Sequence, residues 1–168
     1  MDYVGFTGGT ATGRKIAVAA AERLIPYSLE LGGKNPMVVL DGALHDDAAR
    51  GVITGAFSNT GQTCISVERI YVQDSIYEDF ARRVVEKTKR MKLGWSRTWD
   101  IDMGSLISET HAQKVMRHIE GAVAQGARLL TGGKQRTDLG PAFVDPTILT
   151  DVRDDMAMYR EETFGPVI

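Results

Sequence analysis

Residues 3–31 constrain the fold more than any other stretch. "YVGF" (3–6) is a short apolar run of strand character, and "TGGTATG" (7–13) is a glycine-rich turn. "RKIAVAAAERL" (14–24) follows with strong helix formers, and Ile16, Ala20 and Leu24 share one helical face. Thr12 is placed to cap that helix. Pro26 stops it, and "YSLEL" (27–31) reads as the next strand. Strand, helix and strand joined by short turns form a βαβ unit, which predicts a locally parallel sheet.

The same alternation continues. "GGKNP" (32–36) reads as a turn and "MVVL" (37–40) as a buried strand. "HDDAARGVITGAFSNTG" (45–61) has the acidic start and glycine-rich end of a helix. "CISVERIYV" (64–72) alternates like a strand. Residues 75–93 carry Ile76, Phe80, Val84, Thr88 and Met91 near one face, which predicts a long amphipathic helix capped by Ser75. Its Lys87, Lys89, Arg90 and Lys92 read as a solvated basic end. Residues 95–104 read as a loop holding Trp95 and Trp99, and 108–126 as a helix closing on a C′ glycine. "ARLLTGG" gives a strand and turn, and 142–152 a strand-like run broken by Pro146. The expected fold class is α/β with parallel strands.

Bulk composition narrows the function. Hydrophobic residues make up 43% of the 168, enough for one core. A net charge of −2 offers no field for nucleic acid, and no apolar run is long enough to span a bilayer. The single cysteine, Cys64, fits a reducing compartment, so a soluble cytoplasmic chain is expected. His45, His111 and His118 show no ligand spacing with Cys64 or one another, so no metal site is expected. The chain starts on a strand and stops inside an apolar run, which reads as a piece cut at both ends.

Four stretches carry candidate chemistry. In "FTGGTATG" (6–13), Gly8, Gly9 and Gly13 let backbone N–H groups approach a phosphate, or simply make a tight βα turn. In "LELGGKNP" (29–36), Glu30 lies between Leu29 and Leu31. It is either a desolvated general base or a side chain on the polar face of a strand. In "GQTC" (61–64), Cys64 is either an activated nucleophile or a small buried residue. "EETFGPV" (161–167) reads by itself as a surface turn.

Together, in this order and at these intervals, the four stretches resemble the aldehyde dehydrogenase superfamily. The likeness covers essentially the whole chain, "FVDPTIL" and "LLTGG" included. It implies that Cys64 attacks an aldehyde to give a thiohemiacetal, with its own backbone N–H as one oxyanion donor. Hydride transfer to NAD or NADP leaves a thioester, and Glu30 activates the water that hydrolyses it. The presence of Glu30 argues against the CoA-acylating branch. The resemblance further implies that Glu162 holds the nicotinamide ribose and that Phe164 packs near the nicotinamide. Leu31 and Gly32 would contact it through backbone, and Gly8 and Gly9 would form the pyrophosphate turn. Many members carry Ser where Gly9 stands, so one phosphate contact is lost.

The implied division is residues 1–40 as the end of a cofactor-binding domain and 41–168 as part of a catalytic domain. "CISVERIYV" and "EETFGPV" lean toward the branches that oxidise succinate semialdehyde or aromatic aldehydes. The implied partners are a small-molecule aldehyde and further copies of the chain, with neither nucleic acid nor membrane. Two other readings stand beside oxidation: a cofactor-independent thiol esterase using Cys64 and Glu30, and a silent fragment that self-associates.

Overall fold

A computed structural model describes residues 1–168. The chain divides into two compact units, Met1–Gly33 and Lys34–Ile168.

The first unit is the expected βαβ. Strand β1 (Val4–Gly8) and strand β2 (Tyr27–Leu31) pair in parallel, with Thr7 opposite Glu30 and Gly8 opposite Leu31. Helix α1 (Thr10–Ala21) connects them and starts earlier than the sequence predicted. Its N-cap is Gly9, in extended backbone, and not Thr12. Gly13, expected in the turn, is a buried helical residue: a Cβ there would stand 2.7 Å from Leu31 Cδ2. The third glycine therefore serves close packing of helix on strand, a need that a turn-forming composition hides. Leu24, expected on the apolar face, lies beyond the helix with φ 55° and is 93% exposed.

The second unit holds a parallel pair, β3 (Asn35–Val39) and β4 (Val67–Val72), and an antiparallel pair, β5 (Arg128–Thr131) and β6 (Ile148–Thr150). The second pair departs from the all-parallel expectation. This unit begins at Lys34, directly before β3. Helices α2 (His45–Phe57) and α3 (Tyr77–Lys89) bury Val52, Phe57, Phe80 and Val84 in one core with Val39, Met103 and Ile148. Burying a side chain of this size contributes about 1.5–3 kcal/mol. Helix α3 is preceded by a 3₁₀ turn at Asp74–Ile76, so Ser75 is not its cap.

Helix α4 (Glu109–Ala124) runs as predicted. Ser108 Oγ accepts from His111 N at 3.2 Å, and Gly126 follows the helix with φ +101°. It builds a second core with Leu106, Val144, Leu149, Met156 and Val167, joined by the short α5 (Ala157–Arg160). No helix is long and apolar enough to cross a membrane.

Candidate active site

Cys64 is exposed. It lies not in a strand but on a turn, because β4 begins only at Val67. Its setting follows from the residues on either side. Helix α2 ends at Phe57, and Asn59, Thr60 and Gly61 then take left-handed backbone, with φ 50°, 60° and 70°. Asn59 Nδ2 donates to Gln62 O at 3.0 Å, and Gln62 Nε2 donates back to Asn59 O at 3.1 Å. On the far side, Asn35 Nδ2 donates to Cys64 O at 2.7 Å and to Ser66 O at 2.9 Å. Asn35 can do so because the β3–β4 register shifts between Asn35 and Pro36, a bulge that re-aims a side chain. The backbone of the thiol is thus pinned while its side chain stays accessible.

Glu30 is exposed at the end of β2, so the desolvation expected of it is not met: Leu29 and Leu31 face the other side of the strand. The strand period places consecutive side chains on opposite faces, and Glu30 takes the outer one. The β1–β2 register brings Gly8, Glu30 and Leu31 to one end of the first unit. There α1 begins on Gly9 with no capping side chain and no acid in its first turn. Unsatisfied N–H groups and the positive end of the helix dipole are the donor set that a phosphate requires, so these residues fit a pyrophosphate. Gly32 follows β2 directly.

The 161–167 stretch is not the surface turn its composition suggested. Thr163, Gly165, Pro166 and Val167 are buried, and Glu162 and Phe164 half-buried. Its backbone is held by side chains the sequence reading left without a role. Glu68 Oε2 accepts from Thr163 N at 2.9 Å and Glu68 Oε1 from Phe164 N at 2.8 Å. Lys34 Nζ pairs with Glu68 Oε2 at 2.5 Å and donates to Thr163 Oγ1 at 3.1 Å. Both charged side chains are buried, at 8% and 2% exposure. Burial lowers the Lys34 pKa from its ordinary value, although the Glu68 carboxylate pulls the other way. Lys114 Nζ donates to Glu162 O at 3.0 Å, and His111 Nε2 lies 2.6 Å from Phe164 O. His118 Nδ1 lies 3.2 Å from Thr163 Oγ1, and its burial lowers its pKa.

One signal in the sequence could have revealed Glu68: it shares strand parity with Ile70 and Val72, so a charge falls on the apolar face of β4. The Cys64 turn and the 161–167 stretch also meet backbone to backbone. A Cβ on Gly61 would lie 2.2 Å from Gly165 O, which no side chain tolerates.

Comparison with known proteins decides the family. A model of the aldehyde dehydrogenase family matches residues 1–168. The chain belongs to this family. A Mycobacterium bovis member with the provisional name succinate-semialdehyde dehydrogenase (NADP+) 2 is 49% identical over 167 residues, 99% of this chain and 32% of that protein. Among solved members, Staphylococcus aureus betaine aldehyde dehydrogenase in complex with NAD+ superposes with TM-score 0.95 at 38% identity. It is matched over 100% of this chain and 34% of its own. An NADP-dependent enzyme of E. coli gives TM-score 0.94 at 38% identity, over 99% of this chain and 34% of its own. The chain spans about a third of the length of these relatives.

Proposed function

We propose that this chain is the nucleophile-bearing part of an NAD(P)+-dependent, non-acylating aldehyde dehydrogenase. The observation that carries the reading is the exposed Cys64 on a turn whose backbone Asn35 pins. Cys64 Sγ attacks the aldehyde carbon, and the Cys64 N–H faces the developing oxyanion. A bound nicotinamide would supply the hydride acceptor that this oxidation needs. Glu30 takes a proton from water, which attacks the thioester, and the thiol of Cys64 leaves as the carboxylic acid forms.

Residues 1–40 are assigned to the end of the cofactor-binding domain and 41–168 to the catalytic domain. Gly8 and Gly9 form the pyrophosphate turn and place the N–H groups, while Gly13, inside α1, supports that site by seating the helix close on β2. Leu31 and Gly32 meet the nicotinamide through backbone, Glu162 takes the ribose hydroxyls, and Phe164 flanks the ring. The names of the mycobacterial relatives favour succinate semialdehyde as substrate and NADP+ as acceptor. The single thiol supports a reducing, cytoplasmic setting.

Homo-oligomerisation is supported by the outward side of β3 and β4. There Val38, Leu40 and Tyr71 are 64%, 61% and 47% exposed, an apolar face of the kind parallel sheets cover. The same face supports the second reading, a self-associating chain without activity.

The test is formation of reduced nicotinamide from succinate semialdehyde and NADP+ by the native protein that carries this chain. Loss of that signal in Cys64→Ala supports the reading. An unchanged rate in Cys64→Ala, or no reduced nicotinamide from wild type with any aldehyde, overturns it. A burst that stalls in Glu30→Gln supports the role of Glu30. Hydrolysis of an activated ester without any oxidation would point to the thiol esterase.

A further inference from the structure

The segment from Glu161 to Phe164 belongs to no helix or strand, yet its backbone is gripped at every peptide group from Glu162 O to Phe164 O. Phe164 holds φ at 55°, a left-handed backbone that a bulky residue adopts only when its surroundings force it. The forcing groups are identifiable. The two oxygens of Glu68 take the N–H groups of Thr163 and Phe164, and His111 holds the Phe164 carbonyl. The His111 ring also meets the Phe164 ring edge-on, with centroids 6.2 Å apart and planes at 69°.

A buried carboxylate needs a counter-charge, and Lys34 supplies it at 2.5 Å. Lys34 is itself anchored, because the Arg69 guanidinium donates to Lys34 O at 3.0 and 2.8 Å. Arg69 lies 5.4 Å over the Tyr159 ring. These contacts occupy the backbone of the segment, and Glu162 and Phe164 remain half-buried between its buried and exposed residues.

We propose that Glu68, neutralised by Lys34, is the positioning residue that sets the Glu161–Phe164 segment in the shape that receives a nicotinamide nucleotide. The proposal rests on the cofactor reading above. Glu68 touches neither nucleotide nor aldehyde. It acts through two amides, holding Phe164 in its left-handed turn and so fixing the backbone that carries Glu162 and Phe164. A neutral residue of similar size would fill the space but could not accept from both N–H groups and the Lys34 ammonium at once.

The test compares wild type with Glu68→Ala, Glu68→Gln and the double variant Lys34→Met/Glu68→Gln, in the native protein that carries this chain. The double variant leaves no unpaired buried charge and covers the case in which Glu68→Ala fails to fold. Hydrogen exchange at the Thr163 and Phe164 amides, read without nucleotide, is expected to quicken roughly tenfold or more in Glu68→Ala. In Glu68→Gln one amide keeps its protection, since the amide oxygen still accepts. The Kd for NADP+ and NAD+, by calorimetry, rises roughly tenfold or more in Glu68→Ala and roughly threefold or less in Glu68→Gln. The rate of Cys64 alkylation stays within about twofold, which shows the thiol turn intact.

Unchanged exchange in Glu68→Ala, or in the double variant if the single one does not fold, overturns the proposal. So does quickened exchange with an unchanged Kd. A wild type that binds neither dinucleotide overturns the cofactor reading instead, and the exchange measurement still decides whether Glu68 shapes the segment.

Discussion

The second unit contains two irregular segments of candidate function, and they are held by opposite means. The Cys64 turn is fixed by neutral donors: Asn35 takes the carbonyls of Cys64 and Ser66, and Asn59 and Gln62 close the approach. The Glu161–Phe164 segment is fixed by buried ionic groups, Glu68 and Lys34, with Lys114 and two histidines beside them. On the proposed function, the difference follows from what each would present. A nucleophile needs a steady backbone and a side chain open to reactant, and carbonyl acceptors near water suffice for that. A recognition segment must keep a backbone shape it would not choose, as at Phe164, and charge-assisted bonds supply the stronger hold.

Experiments can break or sharpen that contrast, and the largest effect belongs to the thiol. On the proposed function, Cys64→Ala should lower aldehyde oxidation by the native protein on the order of 10³-fold or more, since no other thiol could take the proposed role of nucleophile. Its melting temperature should stay close to wild type, because the side chain is exposed. Next comes Gly61→Ala, which strikes both segments. A left-handed φ and a Cβ inside contact distance of Gly165 O together cost roughly 2–5 kcal/mol, to be read from denaturant unfolding.

Asn35→Ala loosens the thiol turn alone. Losing the two bonds should cost about 1–2 kcal/mol and lower the melting temperature by about 2–8 °C. His118 probes the other segment through pH. Its pKa is lowered by burial, so between about 6.5 and that lowered value the unfolded chain binds the proton and the folded chain does not. Stability should therefore fall as pH drops through that window and level off below it, and His118→Asn should flatten the slope. Glu161, 3.5 Å from His118 Nε2, opposes the effect only partly because it is 64% exposed. The smallest effect is expected at Arg50. Its pairs with Asp46 and Asp47 are exposed, and Arg50→Ala should leave the melting curve superimposable on wild type.

How far the sequence foretold this depends on the range of the interaction. Tyr27–Leu31 as a strand, α4 from its Ser108 cap to Gly126, and the parallel βαβ were all legible, because local pattern and turn chemistry specify them. The start of α1 was not, since Gly13 is required by Leu31 across a packing interface and looks like a turn glycine in one dimension. Cys64 stood out through its motif, but the hold of Asn35 on its backbone accompanies a register shift that no periodicity announces. Glu68 was passed over as one letter in an alternating strand. Its partners lie 34, 95 and 96 positions away, and only folding brings an acid, a lysine and two amides to one place. For Glu30 the sequence left two alternatives open, because two leucine neighbours suggest an apolar surrounding, whereas the pleat sends them to the opposite face.

The near-touching glycines at 61 and 165 have a consequence for anyone who would refit this scaffold to another aldehyde. The stretch presenting the thiol and the stretch assigned to the nucleotide share one seam with no slack. Rebuilding the first would displace the second, so on the proposed function a change made at the thiol turn would be inherited by cofactor affinity as well.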